Sequence, residues 1–429
     1  MLKSRKSQLP NGEYEIMYDF DPGEVRFDSG VDGIKYDFNS GPRLLIPRAI
    51  LANHKFDIKF VDLDTNDLIK PAVIAENQKE IMVGCPVAYH VHFGLYVSRD
   101  DKEIFSHVFD CKGKNVHIEM MNTNGMGDAI CFMTHIEEFR KQHQCNIYIT
   151  MVRRFVEIFE PVFKDIHFIA GEKIDAQGEF SVNVWEKLPK DIYATYYYEV
   201  GYPQNTATQR EDLRRSGMIQ NSAYILGINA LHEFTPKLEP SKKKGKKKIT
   251  EPYVCIALHG SEVCKSWHNP TGWGEVVRYL KKKGFRVICI DGDGIQTDEH
   301  YKDIMDSGCE DMTGFLPLQD RVDLLCGAKF FVGGASGLSW LAWACGKPVV
   351  MISGFSMPHS EFYTPYRVIN PEVCHGCWND MRYPKQPYLY TLCPRHERTP
   401  RQFECSKKIS AEMVLAKIDK LLADIGETK

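Results

Sequence analysis

The chain has 429 residues, 54 Lys+Arg against 57 Asp+Glu, 43% hydrophobic residues and 26% charged ones. That length suggests two or three domains with ample core, and the composition excludes a mainly disordered chain. A net charge of −3 argues against a dedicated nucleic-acid binder. No apolar stretch reaches the roughly 18–20 residues that span a bilayer, and the early lysines are not followed by the apolar region of a secretory signal, so the expectation is a soluble, cytoplasmic protein.

Residues 10–110 read as all-β. Short alternating runs such as EYEIMYDF, IKYDF and FDIKFVDL are separated by turn signals at Asp21-Pro22-Gly23, Asp28-Ser29-Gly30 and Asn39-Ser40-Gly41-Pro42. A small barrel or sandwich of about six to eight strands is expected there. His90 and His92 alternate with Val91 and Phe93, which places them on one strand face; two histidines are too few for a metal site.

Near residue 115 the rhythm changes to alternating strand and helix, the pattern of parallel βαβ units. NVHIEMM reads as a strand and DAICFMTHIEEFRKQH as one amphipathic helix; residues 205–232 are helical in pattern and complete a first Rossmann-like domain over 115–235. A linker over 236–250 carries Lys242 to Lys248, six lysines around one glycine, expected to be solvated. A second Rossmann-like domain spans 251–355, a cysteine-bearing loop 356–408, and a last helix 409–429 with Met413, Leu415, Ile418, Leu421 and Leu422 near one stripe. Two such domains suggest a cleft enzyme with ligands at the carboxyl ends of the strands.

Four segments carry candidate chemistry. Gly125-Met126-Gly127-Asp128 joins a strand to a helix: the glycines permit close backbone approach, and Asp128 reads as a helix cap or a base. It lacks the third glycine of a dinucleotide fingerprint. Lys265, in the segment after the YVCIAL strand, is placed to neutralise a diphosphate or is an ordinary surface lysine. Gly333-Gly334-Ala335-Ser336-Gly337-Leu338 reads as a phosphate nest or a tight structural turn. Together, three such turns point to a nucleotide-diphosphate ligand. The fourth segment holds Cys374, Cys377, Cys393 and Cys405, four of the 14 cysteines. Four thiolates suit a tetrahedral metal, zinc or iron, in a loop otherwise poor in core; His375 or His396 could replace a cysteine.

These residues carry a resemblance. GMGDAI, VCKSWHNPTGW, TGFLPLQDRVDLL and SGLSWLAWACGKPVVMISGFS resemble ADP-heptose-dependent glycosyltransferases of the GT-B fold. The end of the chain, SEFYTPYRV, CHGCWND, CPRH and RQFEC, looks like one branch, the bacterial autotransporter heptosyltransferases. The resemblance implies an α/β GT-B enzyme with two Rossmann-like domains, the first acceptor-side and the second ADP-binding, plus the N-terminal β-domain and a C-terminal four-cysteine metal loop. It implies an inverting transfer of heptose from ADP-heptose to serines of autotransporter adhesins. The alternative is a heptosyltransferase acting on lipopolysaccharide core. Asp128 matches the family's catalytic base, and Gly125, Met126 and Gly127 line the donor beside it. Lys265 matches the diphosphate-contacting lysine, and Arg321 falls at the donor pocket. Ser336, Gly337 and Leu338 match the turn under the diphosphate; Glu361 is a weaker donor-site candidate. The four cysteines correspond to ligands of a structural ferric iron, with zinc as the alternative and no metal demanded at the active site. The family also implies a dodecameric ring. The lysine-rich linker and the extended N-terminus depart from the family without touching a motif.

Overall fold

The structure is a computed structural model. It describes residues 2–8 and 14–20, and residues 24–427 apart from 86, 88, 122–124, 174–179, 182–183, 199–210, 230–234, 243–248, 293–298 and 384–392. The lysine run from Lys243 to Lys248 therefore lies outside the described residues. The chain divides into two compact units, Met1–Glu119 with Arg140–Tyr148 and Trp185–Tyr197, and Met120–Phe139 with Ile149–Val184 and Tyr198–Lys429.

In the first unit a four-stranded antiparallel sheet runs in the order Lys102–Val108, Phe93–Arg99, Phe56–Asp62, Asp67–Ile69. The other strands of the N-terminal region are not self-contained. Lys35–Asn39 pairs antiparallel with Arg43–Pro47 on one side and parallel with Ile192–Tyr197 on the other, which in turn pairs parallel with Asn115–Glu119. Side chains lock that junction: Thr195 donates to Asn39 Oδ1 at 2.7 Å, and Asn39 Nδ2 donates to the Ile192 carbonyl at 3.1 Å. The expected barrel or sandwich is thus a sheet shared with later strands, a long-range pairing that local alternation does not encode. Across the antiparallel pair lies the buried bidentate pair of Arg43 with Asp37, both contacts 2.7 Å. His90 and His92 precede the strand Phe93–Arg99 instead of sharing its face. The Phe93 N–H closes a turn onto the Val91 carbonyl at 2.9 Å. His90 then meets the Tyr196 hydroxyl at 3.1 Å, while His92 meets Asp64 at 3.1 Å.

The second unit is organised by a six-stranded parallel sheet. Its strands in chain order are Tyr253–Ala257, Arg286–Cys289, Glu310–Asp311, Phe331–Gly334, Val349–Ile352 and Arg367–Val368. In space they run third, second, first, fourth, fifth, sixth. This is the doubly wound order, and its direction reverses between the first and fourth strands, where such sheets bind ligands. The four central strands are nearly all buried apolar residues, as a sheet covered on both faces requires. Trp273, Val276, Val277 and Leu280 of the helix Gly272–Lys282 cover one face, joined by Val414, Ile418, Leu421 and Leu422 of the last helix, Ala411–Asp424. Ser410 caps that helix through the Met413 N–H. Met413 and Leu415 are packed at the edge of this core, and Val414 takes the central place instead.

Two expected helices are interrupted. The segment over 126–143 is two helices, Met126–Phe132 and Ile136–His143. Thr134 turns its hydroxyl back to the Cys131 carbonyl at 2.6 Å and meets His135 Nδ1 at 2.8 Å, satisfying the backbone where the first helix stops. Within 205–232 the described helices are Leu213–Ser216 and Met218–Leu226, separated by Gly217 at φ 79°. A Cβ on Gly217 would lie 1.9 Å from the His359 carbonyl oxygen, so only glycine admits that contact.

Candidate active site

The helix Met126–Phe132 begins at Gly125, with Asp128 in its first turn. The carboxylate of Asp128 folds over the start of the helix: a Cβ placed on Gly125 would lie 2.0 Å from Asp128 Oδ2. Glycine at 125 is therefore a condition for this carboxylate position. Gly127 is pressed against an indole, its Cβ position 2.8 Å from Trp340 Cδ1, and a Cβ on Gly337 would stand 3.0 Å from Met126 Cβ. The start of Met126–Phe132 is thus packed on the start of the helix Gly337–Ala344.

That second helix leaves the fourth strand through Gly334, Ala335 and Ser336. The Ser336 N–H turns back to the Gly334 carbonyl at 2.8 Å, and Ser339 Oγ donates to the same carbonyl at 2.6 Å. Ser336 is the residue before the helix, in extended conformation, and its hydroxyl makes no cap bond. Its side chain is 7% exposed, and Oγ has no hydrogen-bond partner among the described residues. A buried, unsatisfied hydroxyl beside the free N–H groups of a helix start is the arrangement an anion completes. Leu338 is buried, so its contribution there is its backbone.

The loop after the first strand reaches the same place. A Cβ on Gly260 would lie 2.8 Å from Lys265 Cβ and 3.1 Å from Ser336 Cβ, and one on Gly334 would lie 2.3 Å from the Lys265 carbonyl oxygen. The short turn Val263–Lys265 presents the ammonium, which donates to Ser261 Oγ at 3.1 Å. Lys265, Ser336, Gly337, Met126, Gly127 and Asp128 therefore occupy one neighbourhood within one compact unit, at the switch point of the sheet.

Two residues singled out in the sequence are engaged elsewhere. Arg321 is 4% exposed, and its guanidinium donates to the backbone carbonyls of Ile290, Asp291 (2.9 Å) and Gly314. It ties the end of the second strand to the loop before its own helix, and burial holds its pKa below the usual arginine value. Glu361 takes Ser356 Oγ at 2.8 Å on one oxygen and Arg367 Nη1 at 2.8 Å on the other. It fixes the turn after the fifth strand.

The cysteine loop folds onto that same turn. Gly376 N–H donates to the Gly354 carbonyl at 2.8 Å and Trp378 N–H to the Phe355 carbonyl at 2.9 Å. Cys374, Cys377, Cys393 and Cys405 are all free thiols. Burial, chiefly, and then neighbouring Cys393 push the Cys377 thiol up to about 12, and Cys405 is raised by burial and by the other three. Donors face the sulfurs: Phe403 N–H lies 3.5 Å from Cys393 Sγ, and Arg395 Nη1 3.7 Å from Cys374 Sγ. Four mutually interacting thiols with such donors fit a thiophilic metal in number and kind. No group of three or more His, Cys, Asp or Glu among the described residues is drawn into a ligating arrangement, however.

The sequence analysis did not single out Trp340, which buttresses Gly127, or Asp291 and Tyr301, which meet His259 at the head of the Lys265 segment. Asp291 was visible as the acidic residue closing the apolar run VICI.

A family model for glycosyltransferase family 9 (heptosyltransferase) covers residues 226–384. The autotransporter heptosyltransferase Aah of Escherichia coli is 37% identical over 395 residues, 92% of this chain and 94% of that protein. The inactive autotransporter heptosyltransferase BimC of Burkholderia thailandensis is 30% identical over 92% of this chain and 87% of its own. The crystal structure of TibC from enterotoxigenic E. coli, an iron-containing dodecameric glycosyltransferase, superimposes with a TM-score of 0.78 at 33% identity, covering 95% of this chain and 100% of that one. TibC has also been solved in complex with ADP-D-beta-D-heptose. Family model, relatives and fold thus define a glycosyltransferase with a mixed α/β, GT-B-like fold and a β-rich N-terminal region. Over nearly its whole length, the chain belongs to the autotransporter heptosyltransferases. Among the described residues no helix is long and apolar enough to cross a membrane.

Proposed function

We propose that this chain transfers heptose from ADP-heptose to serine hydroxyls of an autotransporter adhesin, in the cytoplasm, with inversion at the anomeric carbon. The observation that carries the reading is the meeting of the Asp128 turn with Ser336 and Lys265 at the switch point of the parallel sheet. The ADP-heptose complex of the related TibC supports it.

In this reading the Asp128 carboxylate accepts the serine proton as the hydroxyl oxygen attacks the anomeric carbon. The bond from that carbon to the ADP oxygen breaks on the opposite face. A positioned base of this kind contributes about 10²–10⁴-fold. Gly125, Met126 and Gly127 let the sugar approach the backbone. The N–H groups at the start of Gly337–Ala344, including those of Gly337 and Leu338, hold the departing diphosphate, with the Ser336 hydroxyl and the Lys265 ammonium. In this reading these groups hold the leaving group without an active-site metal. Arg321 serves the donor pocket by holding the carbonyls of Ile290, Asp291 and Gly314, and Glu361 by fixing the turn at Ser356 with Arg367.

Cys374, Cys377, Cys393 and Cys405 hold one structural iron per subunit in this proposal, with zinc as the alternative; four thiolates leave no open coordination position. The assembly is a ring-shaped homo-oligomer like the dodecamer of TibC. To test the function, the purified protein is given ADP-heptose with a lipid-free passenger fragment, or with lipopolysaccharide core. Heptose on serines of the passenger is expected. Incorporation into core alone would replace the proposal with the small-acceptor reading, and incorporation into neither would place the chain beside its inactive relative.

A further inference from the structure

A second polar cluster stands at the ends of the first two strands of the parallel sheet. Asp291 follows the strand Arg286–Cys289 and is 2% exposed. Its carboxylate accepts the N–H of Leu258 at 3.0 Å, the N–H of His259 at 3.4 Å and the Tyr301 hydroxyl at 2.6 Å. The imidazole of His259 joins it, Nδ1 lying 3.4 Å from Asp291 Oδ2. Tyr301 is buried, and its ring packs against the imidazole at a centroid separation of 5.2 Å. A carboxylate this deeply buried must be compensated by hydrogen bonds and charge. Here the compensation comes from two backbone amides, a phenol and the nearby Arg321 guanidinium. Its position is therefore fixed, and it fixes the imidazole from the Nδ1 side.

A third of the His259 side chain remains exposed. The next residue is Gly260, the glycine whose Cα sits against Lys265 and Ser336. The imidazole thus stands one residue from the point where the lysine loop meets the diphosphate turn. An anion binding there would be repelled by the Asp291 carboxylate unless a cation stood between them. His259 in its protonated form is that cation.

We infer that His259, oriented by Asp291 and Tyr301, is a further donor-contacting residue whose imidazolium donates a hydrogen bond to the diphosphate of the nucleotide sugar. The inference rests on the donor site proposed above. Binding of the diphosphate and protonation of His259 are then linked. Among the described residues the titratable groups seen against the ring are Asp291, just after the second strand, and Tyr301 from the helix Glu299–Asp306, with His268 close enough to feel its charge. Burial, first, and then positive neighbours including His300 and His259 keep His268 toward its neutral form.

The test is calorimetric binding of ADP and of adenosine to the full chain and to His259→Gln and His259→Asn, at about pH 6 and about pH 8. At the lower pH the substitutions should weaken ADP about tenfold, the loss of one charge-assisted hydrogen bond, and leave adenosine unchanged. The unsubstituted chain should lose ADP affinity on going to the higher pH by more than either variant does. Wild-type ADP affinity in a folded variant, or an equal loss of ADP and adenosine, overturns the inference. So does an ADP affinity in the unsubstituted chain that is flat across this range, a readout that stands even if both variants fail to fold. No ADP binding by the unsubstituted chain would remove the donor reading itself, and this inference with it.

Discussion

Replacing Gly125 with alanine separates the position of the Asp128 carboxylate from its chemistry. Gly125 has φ −75° and ψ 131°, a conformation any residue adopts, so the backbone tolerates the change. The new Cβ would lie 2.0 Å from Asp128 Oδ2, where ordinary contact begins near 3.4 Å, so the carboxylate must retreat by about 1.4 Å. For stability two effects oppose one another. Alanine is a poorer residue than glycine before a helix, by about 0.5–1 kcal/mol, and it restricts the unfolded chain by a similar amount in the other direction. The melting temperature should therefore move by no more than about 2 °C. For activity nothing compensates, because a base misplaced by about 1 Å loses on the order of 10²-fold. The assay is the initial rate of heptose addition to a passenger fragment, followed by intact mass, beside a thermal melt. A variant that melts like the wild type and retains its rate within about threefold would refute the claim that this carboxylate position is the acting one.

Three further perturbations test other parts of the account. Gly127→Ala drives a Cβ to 2.8 Å from Trp340 Cδ1, and that indole is held by Trp343 and Phe362 at ring separations of 5.7 and 5.0 Å. An overpacking cost of about 1–3 kcal/mol should lower the melting temperature along with the rate; an unchanged melt would mean the indole yields freely. Ser336→Ala removes a buried hydroxyl without a partner among the described residues, so the melt should stay level or rise slightly while ADP affinity falls about tenfold; unchanged ADP affinity would take this hydroxyl out of the donor site. Cys377→Ser should reduce bound iron or zinc, measured by elemental analysis, from about one per chain to well below half, and lower the melt by several degrees. Full metal content in that variant would remove Cys377 from the ligand set.

The four central strands of the parallel sheet were legible because each is a short, mostly apolar run bounded by small residues. Phe331–Gly334, Ser336 and Gly337–Ala344 form one unit of strand, turn and helix, and the strand order then brings its turn beside the Lys265 loop. What escaped the sequence depends on contacts between distant segments. The pairing of Lys35–Asn39 with Ile192–Tyr197 joins strands far apart in the chain, and the break at Gly217 is decided by the carbonyl of His359. The helix break at Thr134 is local, but hydroxyl back-bonding competes with helix too evenly to be read from composition. Arg321 was placed at the donor pocket by the family resemblance alone. Its partners turn out to be three backbone carbonyls, which no motif records. Asp291 and His259 follow different strands and meet only because those strands are neighbours in the sheet.

The central claim is that Asp128 is the base for transfer of heptose to a protein hydroxyl. The most direct measurement is the intact mass of a passenger fragment incubated with ADP-heptose and either the wild-type chain or Asp128→Asn, with ADP binding by both chains measured in parallel. The account predicts stepwise heptose increments with the wild type, none with Asp128→Asn, and ADP binding by both. Increments of equal rate with Asp128→Asn would contradict it.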